Sequence, residues 1–136
     1  SILAAVNGSK QDSVTAEIEA VVRKGEAIGA RGGSAQEIAE AFYEDDLTFT
    51  GEGEKALYPD LKSFMKPLQA YTRNPTCRMK VVDHVRHSGE LAVAWVAEHC
   101  DASGKEPAAD YRVIYVFRNG KKGWRVTMEM FTTGKF

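Results

Sequence analysis

Glu44, Asp45 and Asp46 are three consecutive acids that run straight into the alternating segment "LTFTGEGE". Clustered carboxylates can hold a divalent cation or share a proton for acid–base work. No histidine stands near them to complete a metal set, and acids at a helix end oppose its dipole. The run therefore reads as a helix-to-strand turn, where aspartate is a common cap. Cys77 and Cys100 lack metal-ligand spacing, so no metal is expected and two buried thiols are their ordinary reading. Three other side chains have the right chemistry for a site. His99 can move a proton near neutral pH. Arg112 carries a planar guanidinium that binds a carboxylate or polarises a carbonyl. Glu129 is a carboxylate on a strand-like segment, and an ion pair between it and Arg112 is the structural alternative for both. His84 and His87 offer less, because His87 flanks a turn.

The elements that must position these groups follow from periodicity. Residues 1–12 show no sustained period and read as a loose arm. Val14, Ile18, Val21, Val22 and Ile28 recur at helical steps, with Asp12 or Ser13 as N-cap and with Gly25 and Gly29 as interruptions. Ser34 and Glu37 form a capping box that opens a helix from Ala35 to about Tyr43. Leu47 and Phe49 alternate with Thr48 and Thr50 as a strand. Asp60 caps a third helix that buries Leu61, Phe64, Met65 and Leu68, and Pro67 should kink or end it. Four long segments rich in Val, Tyr, Phe, Trp and Thr follow, 77–87, 90–101, 109–118 and 123–133, joined by turn-forming connectors. Helices first and a strand meander after them predict one α+β domain spanning 1–136, its curved, mostly antiparallel sheet wrapped around the helices.

Three segments carry a resemblance: "FYEDDLTFTGEG", "GELAVAWVAEH" and "YRVIYVFRNGKKGWRVTMEMF". In order and spacing the chain resembles the nuclear transport factor 2-like superfamily, and within it the SnoaL-like and ketosteroid-isomerase-like domains with a cone-shaped, cystatin-like fold. The likeness spans about residues 14–133. It implies a pocket inside the cone. The isomerases of this group use a tyrosine on the first helix and two aspartates, and the likeness places Gly25, Gly51 and Ile114 at those positions. All three groups are missing, so that mechanism is not expected here.

If Trp95 faces the pocket, as the resemblance implies, strand alternation brings Ala97 and His99 with it. Arg112 and Ile114 then share the pocket face, with Tyr111, Val113, Tyr115 and Phe117 opposite. On the last strand Thr127, Glu129 and Phe131 point inward, while Trp124, Val126, Met128 and Met130 point outward. This makes His99, Arg112 and Glu129 the catalytic candidates. Tyr58, Trp95, Arg112, Ile114, Thr127 and Phe131 are the candidate ligand contacts. A strongly apolar outer face predicts a homodimer, as the family likeness does. A two-residue turn at Ser88-Gly89 pairs His87 with Glu90 and, counted outward, Cys77 with Cys100, a disulfide if the surroundings are oxidising.

Eighteen basic against nineteen acidic residues leave a net charge of -1, so no global field draws the chain to nucleic acid or to an anionic membrane. No apolar run reaches the roughly 20 residues of a membrane-spanning helix. No cofactor is expected. Two functions fit. One is a binding domain for a small apolar or carboxylate-bearing molecule; the other is an isomerase-, cyclase- or dehydratase-type enzyme using Arg112, His99 and Glu129. The start at Ser1, the segment "SILAAV" and the two cysteines leave cytoplasm and periplasm both open.

Overall fold

The computed structural model describes the backbone of residues 2–71 and 76–136 and the side chains of residues 13–71 and 76–136. Among the described residues, three helices and five strands follow in the order α1 (Ile2–Ala30), α2 (Ala35–Phe42), β1 (Tyr43–Gly51), α3 (Leu61–Tyr71), β2 (Cys77–Ser88), β3 (Leu91–Cys100), β4 (Ala109–Gly120) and β5 (Gly123–Thr133). The sheet order is β1-β5-β4-β3-β2. Only the β1–β5 pair is parallel, and the other three pairs are antiparallel. This is the expected α+β cone, with helices lying in the concavity of the sheet.

The first helix is longer than its period suggests. It runs back to Ile2 through the segment expected to be a loose arm, so neither Asp12 nor Ser13 caps it. The segment contains no proline, and an established helix gains one hydrogen bond for each residue added. Its described buried positions are Val14, Ile18, Val22 and Ile28. Gly25 is where α2 crosses it, since a Cβ there would lie 3.0 Å from the Phe42 ring. The capping box at the start of α2 is complete: Ser34 Oγ accepts from the Glu37 N–H, and Glu37 Oε1 accepts from the Ser34 N–H. Asp60 Oδ1 accepts from the Ser63 N–H at the start of α3. Pro67 lies inside that helix without ending it. Phe64 and Leu68 are buried on either side, and their burial outweighs one lost hydrogen bond.

Two irregularities decide which side chains face inward. Between Val82↔Trp95 and Arg86↔Val93 the β2–β3 register shifts, and Asp83 sits there in the left-handed region at φ 63. Between Val116↔Met128 and Phe117↔Val126 the β4–β5 register shifts as well, leaving Thr127 as an extra residue. Each is a bulge, which re-aims the side chains beyond it. In consequence Trp124 and Val126 join the core, although simple alternation puts them outside.

The inner face of β3 carries Ala92, Ala94, Val96, Glu98 and Cys100, and that of β4 carries Tyr111, Val113, Tyr115 and Phe117. This reverses the expectation for both strands. Trp95, Ala97 and His99 lie on the outer face with Arg112 and Ile114, and Trp95 is 41% exposed. The relative register of the two strands is as read, for Trp95 pairs with Ile114 and Ala97 with Arg112. What differs is the face: the larger apolar set of β4 fills the concavity, because burial of that set is worth more.

Candidate active site

Sheet and helices border a half-open cavity of about 730 Å³. Its apolar wall comes from the helices and from β1. Phe42 ends α2, Phe49 lies in β1, and Phe64 and Leu68 come from α3. Phe49 and Phe64 stack with ring centroids 4.2 Å apart. Phe131 of β5 packs against Tyr111 at 5.8 Å.

Glu98, Glu129, Tyr43 and Tyr115 are among the polar side chains that line the same space. Glu129 projects from β5 between Tyr43 and Tyr115, and the Tyr43 hydroxyl donates to Glu129 Oε1 at 2.9 Å. Glu98 projects from β3 toward Tyr111 and the Cys77–Cys100 bridge. Both carboxyls turn to the cavity and are half-buried. Burial pushes the Glu98 carboxyl up to about 7, helped by the Glu26 carboxylate on α1. Burial pushes Glu129 up to about 8; the Tyr43 hydrogen bond opposes the rise and the Glu98 charge adds to it. The repulsion falls on Glu129 because Glu98 ionises first. Burial raises Tyr43 and Tyr115 well above the ordinary phenol value, with the Glu129 charge as second cause, so both remain neutral donors. Acid–base groups that titrate near 7 are suited to proton transfer at neutral pH.

Of the expected site residues, Glu129 and Phe131 line the cavity, and the rest lie elsewhere. His99 stands on the outer face, its Nδ1 2.8 Å from Asp110 and its Nε2 3.0 Å from Asp101. These aspartates, Asp110 first, raise its pKa. Arg78 closes the same group through a two-pronged pair with Asp101. Arg112 donates to Thr132 Oγ1 and to the Thr133 carbonyl on the outer face and does not meet Glu129. Trp95 contacts Phe136 on that face. Tyr58 packs on Phe49 and Phe64 behind the cavity wall, and its hydroxyl donates to Glu54. Thr127 is buried in the β5 bulge, donating to Asp46 at 2.8 Å. His99, Arg112 and Glu129 therefore do not converge. Residue alternation missed Glu98; the signal that finds it is Cys100, whose buried parity Glu98 shares.

The acidic run is structural where its contacts are visible. Asp46 accepts from Arg118 at 2.7 Å and from Thr127. Gly51, where the isomerases carry a carboxylate, has no room for a side chain: a Cβ would meet the Phe131 ring at 2.1 Å. Ile114 faces outward, so the inward positions beside the missing second aspartate are Val113 and Tyr115, neither of them an acid.

Cys77 and Cys100 are joined, with an S–S distance of 2.09 Å. The pairing is the one expected, reached by a different route. The hairpin turn is Gly89-Glu90, with Ser88 opposite Leu91, and the bulge at Asp83 shifts the register back so that Cys77 meets Cys100. Among the described residues these two sulfurs and Glu98 form the only group of three or more whose ligand atoms lie within 4.8 Å of one another. A disulfide offers no thiolate to a metal.

No protein-family model and no curated protein sequence matches the chain. Solved structures do. A ketosteroid isomerase-like protein from Erwinia carotovora atroseptica SCRI1043 superposes with a TM-score of 0.69 at 18% identity, over 90% of this chain and 97% of that one. An NTF2-like protein of unknown function from Pseudomonas putida KT2440 gives 0.73 at 15% identity, over 92% and 89%. A domain of unknown function with a cystatin-like fold from Nostoc punctiforme PCC 73102 gives 0.68 at 20% identity, over 93% and 79%. The fold is thus the nuclear transport factor 2-like, cystatin-like cone. Likeness at this level of identity speaks for the fold and leaves activity to the site.

Proposed function

We propose that the protein binds a small, largely apolar molecule inside the cone, with Glu129 and Glu98 as its polar anchors. The observation that carries this reading is the cavity itself: about 730 Å³, aromatic-walled, with Glu129 turned into it and held by Tyr43. Ligand pockets of this size and lining bury most of a two- to four-ring molecule. The carboxylate-bearing ligand rested on Arg112, which faces away, so that part of the expectation falls. A thermal-shift screen of two- to four-ring aromatics tests the reading. Occupancy at 100 times Kd stabilises the fold by about 2.7 kcal/mol. Hits should lose their effect in Phe131→Ala or Tyr43→Ala protein; hits indifferent to both would contradict it.

An acid–base enzyme is the second reading, favoured by the two carboxyls that titrate near 7 and 8. Its residues are Glu129, Glu98 and Tyr43 in place of His99 and Arg112. Any turnover should fall at least about a hundredfold in Glu129→Gln protein that still binds ligand.

We also propose that a second copy of the chain covers the outer sheet face. Trp95, Met128 and Met130 are 41%, 53% and 50% exposed there, with Ile114 and Val116 half-buried between them. Light scattering during size exclusion should give twice the 15.0 kDa chain mass. Met128→Lys with Met130→Lys should halve it. A wild-type monomer at every concentration would remove the proposal.

A further inference from the structure

The charge pattern inside the cavity narrows the ligand class, granted that the cavity binds a small molecule. Among the described residues, five glutamates line it and no lysine, arginine or histidine does. Three of the five are occupied or stand aside. Glu26 is occupied by Arg23 and by the Met79 N–H. Glu52 accepts from the Thr133 N–H and hydroxyl. Glu106 lies in the loop after β3. Glu98 and Glu129 remain with acceptor capacity turned to the interior. The polar neighbour recorded at the Glu98 carboxyl is the Cys100 sulfur, at 3.8 Å, and a disulfide sulfur has no proton to donate. Glu129 receives one hydrogen bond on one oxygen, leaving the other open to the cavity.

We infer that the cavity takes an organic cation: an ammonium group on an apolar, ring-sized body. Three pieces of chemistry combine for that class. An N–H of the ammonium makes a charge-assisted hydrogen bond to Glu98 or to the second oxygen of Glu129, both half-buried and turned to the cavity, and such bonds are stronger than neutral ones. Tyr43, Tyr111, Tyr115 and Phe131 surround the same space, and aromatic faces attract a desolvated cation. The apolar wall of Phe49, Phe64 and Leu68 takes the body. An anionic ligand meets the opposite: two carboxyls with no cation to balance them.

The carboxyls respond to such a guest by giving up protons. Glu98 is faced by Glu26 of α1, Tyr111 and Tyr115 of β4 and Glu129 of β5. Glu129 is faced by Tyr43 of β1, Tyr71 of α3, Tyr115 and Glu98. None of these groups is a cation. The neighbouring cation Arg23 is held on Glu26 outside the lining, so an ammonium adds a positive charge that the lining lacks, and its binding favours the ionised carboxylates. Affinity for a cation should therefore rise between pH 5.5 and 8, while affinity for its neutral counterpart stays flat.

Three anthracenes with one body and different heads test this by fluorescence anisotropy: 9-(aminomethyl)anthracene, 9-anthracenemethanol and anthracene-9-carboxylic acid. At pH 7.5 the amine should bind about tenfold or more tighter than the alcohol, and the acid more weakly than either. In Glu98→Gln with Glu129→Gln protein the amine should fall to the level of the alcohol and lose its pH dependence. A far-ultraviolet circular dichroism spectrum and cooperative melting like the wild type's show that the variant is folded. Equal binding of amine and alcohol, or tightest binding of the acid, overturns the inference alone and leaves the cavity reading standing. Binding of none of the three by folded wild-type protein overturns both.

Discussion

The protein should be more heat-stable at pH 5.5 than at pH 8.5, by roughly 10 °C or more in Tm. Glu98 and Glu129 protonate at about 7 and about 8 in the folded chain, against 4.5 for an ordinary glutamate. Between pH 4.5 and 8 the folded state thus holds more protons than the unfolded one, and stability falls as pH rises. A tenfold change in proton affinity corresponds to about 1.4 kcal/mol, so the two groups together carry several kcal/mol across that window. The raised His99 changes in the same direction, but its ring is 39% exposed and its share is small. Asp46, Asp101 and Glu52 are held below the usual carboxylate range by hydrogen bonds and nearby arginines. Their contribution is lost only as pH falls below about 4.5, outside the window. Glu98→Gln with Glu129→Gln should flatten the profile and raise Tm at pH 8.5, because a neutral amide has no charge to desolvate in the cavity. A wild-type Tm that climbs from pH 5.5 to 8.5, read by calorimetry, would contradict the assignment of both carboxyls.

Cutting the Cys77–Cys100 bridge should cost about 3 kcal/mol. The bond joins positions 23 residues apart, and closing a loop of that length removes about this much free energy from the unfolded chain's advantage. Oxidised protein denatured without reductant should give no reaction with a thiol reagent, and reduced protein should give two thiols. Cys77→Ser with Cys100→Ser should lower the urea midpoint and steepen the slope, because the unlinked denatured chain is more expanded. The variant also frees the wall beside Glu98, so a cavity ligand should still bind it, at a lower temperature limit. Two free thiols in the oxidised sample would contradict the bridge.

Most of the fold is legible in the sequence because its signals are local. The Ser34–Glu37 box and the Asp60 cap each act over a few residues and stand where the sequence puts them, and the connectors between the last four strands are turns as read, the first of them one residue later than expected. The site is legible only in part, because it depends on which of two apolar faces turns inward. Both faces of β3 are apolar at most positions, so alternation finds the two sets but not their direction. Taking Trp95 as an inner residue turned His99 and Arg112 inward and hid Glu98. The large set on β4, Tyr111, Val113, Tyr115 and Phe117, decides the matter through burial. On β5 the bulge at Thr127 separates the two halves of the strand, which is why Glu129 and Phe131 are placed rightly while Trp124 and Val126 are not. A bulge changes the count by one residue, and no residue type at Thr127 announces it.

The absence of isomerase groups sharpens into a steric statement. Gly51 is closed to any side chain by Phe131, and the inward neighbours of Ile114 are Val113 and Tyr115. The cone keeps its shape and carries its carboxyls on other strands, one on β3 and one on β5.

Everything proposed for the cavity depends on Glu98 and Glu129 being desolvated and without a cationic partner. A pH titration of the side-chain carboxyl carbons, by NMR on protein carrying labelled glutamate, reads this directly. Two signals should titrate with midpoints near 7 and near 8, and they should vanish in Glu98→Gln and Glu129→Gln protein respectively. Midpoints for both near the ordinary value of 4.5 would mean that water reaches them freely, and the cavity would not be the site proposed.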